Sequence, residues 1–237
     1  MNSQMLSITL LGQNNLLCDR LASGSGRLSF AMHSFDSQCT SLTEKRHGFI
    51  LGTSLFYSQR SLPMTVIELI RSQLERLHTG LQDAVKDLTP EQLHWRPSEG
   101  CNHIAFSLWH YVRTEDNLIR FVLQNRRPTV WLEQAWNERF GLDRVAQGTG
   151  MSPEDAVALR LPSAEEFLPY MHAVWQATEE YLRSITDGDL ETVFTVRPLG
   201  ERPAVQVLTE NVLTHGFSHL GEMWVLRGLQ GFKGSPV

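Results

Sequence analysis

Histidines four residues apart on a helix share a face about one turn apart, close enough to hold one ion. The stretch HGFSHLGEMW, residues 215–224, places His215 and His219 that way. Their stripe reads Leu208, Val212, His215, His219, Met223 and Leu226, so the histidines interrupt an otherwise apolar face. Glu222 lies three residues beyond His219, within reach as a fourth ligand, a partner to a ligand or a base. Gly221 removes a side chain beside the pair and is expected to let another helix approach.

A second helical stretch answers from elsewhere in the chain. In NHIAFSLWHYVRTEDNLIRFVL, positions 103, 107, 110, 114 and 117 follow a 4-3-4-3 seam and read His, Ser, His, Thr, Asn. The neighbouring stripe of Ile104, Leu108, Tyr111, Leu118 and Val122 is ordinary core, with Glu115 inside it. A buried carboxylate needs a partner. Glu115 and Glu222 are therefore the candidate residues for orienting a ligand or moving a proton. Histidine on two separate helices, each where a bundle wants apolar side chains, points to a metal centre. The competing reading is a polar seam in a bundle core or a solvated face. Three neutral imidazoles with an open position make a catalytic rather than a closed structural site. Imidazole ligation suits a divalent transition metal such as zinc, nickel or iron.

Other candidates are weaker. Glu91-x-x-His94 has di-iron spacing, but such a centre needs paired motifs and further carboxylates; Glu44-x-x-His47 lies in an unpatterned region. His78 and His172 lack a matching partner and are expected at the surface. Cys101 precedes the second helix and reads as a small linking residue. Cys18, Cys39 and Cys101 are odd in number and scattered, which excludes a disulfide framework and points to a reducing, cytoplasmic setting. No phosphate loop, serine triad order or nucleophile elbow is present.

The elements that must position these residues follow from periodicity. The chain has 237 residues, 41% of them hydrophobic, with 21 basic and 26 acidic side chains. No basic block suggests nucleic acid, and no apolar run approaches the ~18 residues of a membrane span. From Met64 the spacing predicts four long helices over about 65–86, 102–125, 163–185 and 204–229. Ile67, Ile70, Leu74, Leu77 and Leu81 form the first apolar stripe. Thr89 to Gln92 reads as a capping box with proline at the first helical position. Ser152 and Ser163 read as further caps, and Pro169 is expected to kink the third helix or shift its start. A connection over 126–162 is expected to carry one or two short helices. A loop over 187–203 has room for a short extended piece. The reading is all-α: a four-helix bundle with a long crossover, over residues 64–232. Residues 1–63 are Ser/Gly-rich without sustained periodicity. They are expected to be a disordered extension or to lie outside the native product.

LTPEQLHWRPSEGCNHIAFSLWHYVRTED, followed about a hundred residues later by HGFSHLGEMWVLRGLQG, resembles the DinB-like superfamily of four-helix-bundle metalloproteins. The resemblance spans about Met64 to Gly231. It implies a metal held by one histidine of the second helix and two of the fourth, here His110, His215 and His219. The family often has glutamine where this chain has Glu222. His103, two turns before His110, is about 10.5 Å away along a helix axis and is expected to line the mouth of the pocket. The resemblance further implies a low-molecular-weight thiol as cosubstrate, activated at the metal to attack a small-molecule electrophile, as in bacillithiol- or mycothiol-dependent relatives. The alternatives are a metal-dependent hydrolase or a non-catalytic metal- or ligand-binding module. A homodimer through exposed helix faces completes the set of expectations.

Overall fold

A computed structural model describes residues 64–235. The expectations for residues 1–63 lie outside the described residues. The bundle is made of α1 (Val66–Val85), the run beginning with α3 (Ile104–Asp116), α7 (Ala164–Ser184) and the run ending in α9 (His215–Leu229). Between α1 and α3 lies α2 (Pro90–Leu93). The crossover carries α4 (Val130–Glu133), α5 (Trp136–Phe140) and α6 (Pro153–Ala158), one more short helix than expected. A 3-10 turn (Asp187–Glu191), strands β1 (Val193–Val196) and β2 (Gly200–Pro203), and α8 (Ala204–Gln206) lead into the last helix. β1 and β2 pair antiparallel, Val193 opposite Pro203 and Val196 opposite Gly200, with a cis Arg197–Pro198 bond in the turn.

The helices begin where their caps place them. Thr65 and Thr89 each close a capping box, with Glu68 and Gln92. Ser163 Oγ accepts from the Glu166 N–H at 3.1 Å, so α7 starts at Ala164 despite Pro169. In the early turns, proline costs one hydrogen bond near an end that frays in any case. α1 turns its predicted stripe inward, with Leu77 and Leu81 fully buried. Each such leucine contributes about 1.5–3 kcal/mol relative to exposure. α9 packs on α3 and α1, and α7 packs on α1 and α3. Among the described residues no helix is long and apolar enough to cross a membrane.

Two of the predicted helices are not α-helical throughout. Asn117–Val122 and Val207–Thr214 are π-helical, with hydrogen bonds spanning five residues, such as Leu123 N–H to the Leu118 carbonyl at 2.9 Å. Each extra residue per turn leaves the apolar period nearly intact over so short a run, so the sequence reads as continuous helix.

The crossover is fastened to the bundle from below the site. The buried Asp116 carboxylate accepts from the Val130 and Trp131 N–H groups at 2.8 and 2.9 Å and from the Tyr170 hydroxyl at 2.9 Å. Arg113, also buried, lies 3.5 Å from Asp116, stacks over Trp131 at 4.7 Å and donates to the Ala146 carbonyl at 3.3 Å. Burial raises the Asp116 pKa, and the backbone donors and Arg113 only partly offset it. This knot holds the segment around residue 147 against α3.

Candidate metal centre

α3 supplies His110, and α9 supplies His215 and His219. Their Nε2 atoms converge: His110 to His215 is 3.1 Å and His215 to His219 is 3.0 Å. One ligand atom from each ring lies within 4.8 Å of the others, a grouping that contains no carboxylate.

The partners of the opposite ring nitrogens give this cluster the donor pattern that a metal site requires. His110 Nδ1 donates to the Gln147 carbonyl. His219 Nδ1 donates to Glu222 Oε2 at 2.7 Å. The Asn211 carbonyl, one turn earlier, is the backbone acceptor beside His215. Those acceptors take the imidazole protons, so each Nε2 presents a lone pair. In those tautomers three lone pairs meet at one point, an arrangement that a cation relieves. Zinc–nitrogen bonds of about 2.0–2.1 Å imply tetrahedral N···N edges of about 3.3–3.4 Å, so small ring movements fit the observed spacings to an ion. Burial lowers the His110 pKa to about 4, with the neighbouring His219 adding to it and the Gln147 carbonyl opposing it. Burial, then His219 and His110, lower that of His215 to about 3. Both rings are therefore neutral imidazoles at ordinary pH.

Two glycines permit the approach of the elements. A Cβ on Gly216 would fall 2.4 Å from Leu77 and 2.6 Å from Tyr111, so α9 sits close to α1 and α3 only because that position is bare. Gly148, at φ +93°, would place a Cβ 2.6 Å from His110 Nδ1. Gly221, expected to open this space, has no atom within 4 Å of such a Cβ. The tight contact lies on the inner face, five residues earlier.

The remaining sequence candidates separate. Glu222 orients His219, and it also accepts from Ser107 Oγ at 3.4 Å. Burial alone would raise its pKa, but His219 and Ser107 outweigh that and hold the carboxyl below its ordinary range. Glu115 is not at the centre. It is fully buried, its two oxygens each 3.1 Å from His78 Nε2, and Oε1 accepts from Thr178 Oγ1 at 2.7 Å. Burial opposes its charge, and His78 and Thr178 bring its pKa below the ordinary value. His78 is therefore no unpartnered surface residue: its ring stacks on Trp175 at 4.6 Å and meets the core carboxylate. His172 does lie exposed.

His103 does not line a pocket mouth. It is buried, and its Nδ1 accepts from the Phe106 N–H at 3.0 Å as the cap of α3. His94 of the Glu91-x-x-His94 pair is likewise structural, bonding the Pro90 carbonyl at 2.6 Å and accepting from Leu161 N–H at 3.1 Å. The Gln147 carbonyl could not be found from side-chain patterns, because any residue there supplies it. Only the glycines in QGTG hinted at a special backbone.

His110 and His215 open onto a cleft of about 1230 Å³. Its walls include Thr114 and Asn117, which continue the polar seam, both π-helical segments and the β1–β2 turn.

The sequence comparisons agree with this architecture. The DinB superfamily model matches residues 73–223. No curated protein matches the chain. Among solved structures, a conserved protein from Enterococcus faecalis superposes with a TM-score of 0.61 at 24% identity, covering 70% of this chain and 97% of its own. With a family match extending over more than half its length and a bundle built as described, this chain belongs to the DinB superfamily.

Proposed function

We propose that the protein is a metal-dependent enzyme. In this reading a divalent transition metal binds His110, His215 and His219, and a low-molecular-weight thiol is activated in an S-transfer reaction. The observation that carries this is the convergence of three Nε2 lone pairs at the head of a cleft, with two of the rings lining it. Such a metal, when bound, supplies a Lewis acid that lowers the pKa of a coordinated thiol or water.

The protein's own groups have distinct tasks. The Gln147 carbonyl and Glu222 hold His110 and His219 in the tautomer that faces the ion. Glu222, its side chain half exposed at 50%, is also placed to pass a proton to solvent. Glu115 serves the core beneath, not the reaction. The cleft admits the small-molecule electrophile.

The test is cobalt substitution followed by titration with 2-mercaptoethanol. Thiolate coordination should produce an intense near-ultraviolet charge-transfer band and alter the visible bands. Failure to bind cobalt or zinc would overturn the metal reading. A cobalt spectrum indifferent to thiol would overturn the thiol reading and leave a closed site.

A further inference from the structure

The charged side chains of the cleft are unevenly provided with partners. Arg126 and Arg197 both line it, from different elements: Arg126 follows the first π-helical segment, and Arg197 sits in the β1–β2 turn. Both are exposed, and neither forms an ion pair or a side-chain hydrogen bond among the described residues. One carboxylate lines the cleft, that of Glu210. It is already engaged by Arg202 at 3.1 Å and by Gln206 at 2.8 Å. The cleft therefore carries two uncompensated positive charges in a protein whose formal charge is −5.

The backbone at one of them is unusual. Asn125 and Arg126 adopt left-handed conformations at φ 52° and 62°. They end the helix there: the Arg126 N–H bonds the Phe121 carbonyl at 2.8 Å, and the turn carries the arginine to the cleft. Between Arg126 and the histidines run Thr114 and Asn117, one and two turns beyond His110 on the same seam. Thr114 Oγ1 has no hydrogen-bond partner among the described residues.

We propose that this cleft selects a small molecule bearing an anionic group, a carboxylate or a phosphonate. Arg126 and Arg197 hold its charge, and its reactive end lies against the three histidines. Guanidinium pairs match carboxylate and phosphonate oxygens in geometry as well as charge. The assignment rests on reading the cleft as the mouth of the metal site, but the anion subsite can be tested without metal.

The experiment uses metal-free full-length protein and isothermal titration with adipate, against 1,6-hexanediol as its uncharged counterpart. Wild type should bind adipate and not the diol. R126A/R197A should weaken adipate binding about tenfold or more, and R126K/R197K should fall between the two. Both arginines are exposed and unpaired, so thermal unfolding of the double variant should match wild type. No adipate binding by wild type would overturn the proposal, as would equal binding by R126A/R197A or equal binding of the diol. A parallel titration of the cobalt protein with 2-mercaptoethanol reports on the metal reading alone, so the two can fail separately.

Discussion

Replacing Glu222 should weaken metal binding without loosening the bundle. Its carboxylate accepts from His219 Nδ1 at 2.7 Å, a charge-assisted bond of ordinary strength. Ser107 contributes to the same oxygen at 3.4 Å, near the limit of a hydrogen bond. E222Q keeps an acceptor for Nδ1–H and loses the charge; E222A loses both. Outer partners of this kind are worth about 10–100-fold in metal affinity, or about 1.4–2.7 kcal/mol. The expected order of affinity is wild type, then E222Q, then E222A, with the alanine variant at the large end of that range. S107A should change affinity less than about threefold, because so long a bond carries little of the polarisation. The assay is competition for zinc against a chromophoric chelator on metal-free protein at neutral pH. Circular dichroism should be unchanged, since the side chain is half exposed and its one tie to α3 is the long bond from Ser107. Zinc affinity of E222A equal to that of wild type would refute the reasoning, because His219 would then need no support to present its lone pair.

G148A should both destabilise the protein and reduce metal content. The added Cβ meets His110 Nδ1 in a backbone region costing about 1–3 kcal/mol for a non-glycine residue; elemental analysis and thermal unfolding check this. H78A strips the buried Glu115 charge of its main partner and should cost about 3–5 kcal/mol, with metal stoichiometry unaltered; denaturant unfolding beside elemental analysis separates the two. The metal-free protein should lose stability as pH falls from about 6.5 toward 4 and 3. His110 and His215 have folded pKa values of about 4 and about 3, below the unfolded value, so the unfolded chain takes up protons first. Each adds a slope of up to about 1.4 kcal/mol per pH unit. H215Q should flatten that slope in pH-dependent urea melts; an unchanged slope would contradict neutral burial of the ring.

The bundle was legible in the sequence because its information is periodic. The α1 stripe, the caps at Thr89, Ser152 and Ser163, and the apolar run around His215 all obey local rules that depend on few distant neighbours. The histidine cluster was legible for a related reason: a polar residue in an apolar stripe is conspicuous whatever it touches. What escaped were the properties that depend on backbone or on distant partners. Gln147 acts through its carbonyl, which no residue type announces. Glu115 lies on the same helix as His110 and was grouped with it. Only the packing of α1 and α7 shows that it faces His78 and Thr178. His103 stood in the seam yet caps the helix, because the turn before it brings its ring back onto the Phe106 N–H. Gly221 and Gly216 are indistinguishable in composition, and only the closeness of Leu77 and Tyr111 separates them.

The two π-helical segments have a consequence for how this bundle can vary. One follows His110 and the other precedes His215, and both face the same cleft. Such a segment carries an extra residue that an α-helix of equal rise would lack. Deleting one residue within 207–214 would let that stretch relax to α geometry and turn Leu208 and its neighbours by about 100° relative to the histidines. The seating of the helix in the core would then no longer agree with the aim of its ligands. The widened turns thus act as a phase adjuster between two independent registers, one set by packing and one by the convergence of the three histidines. A one-residue insertion or deletion at either place would therefore change the cleft and the aim of the histidines together.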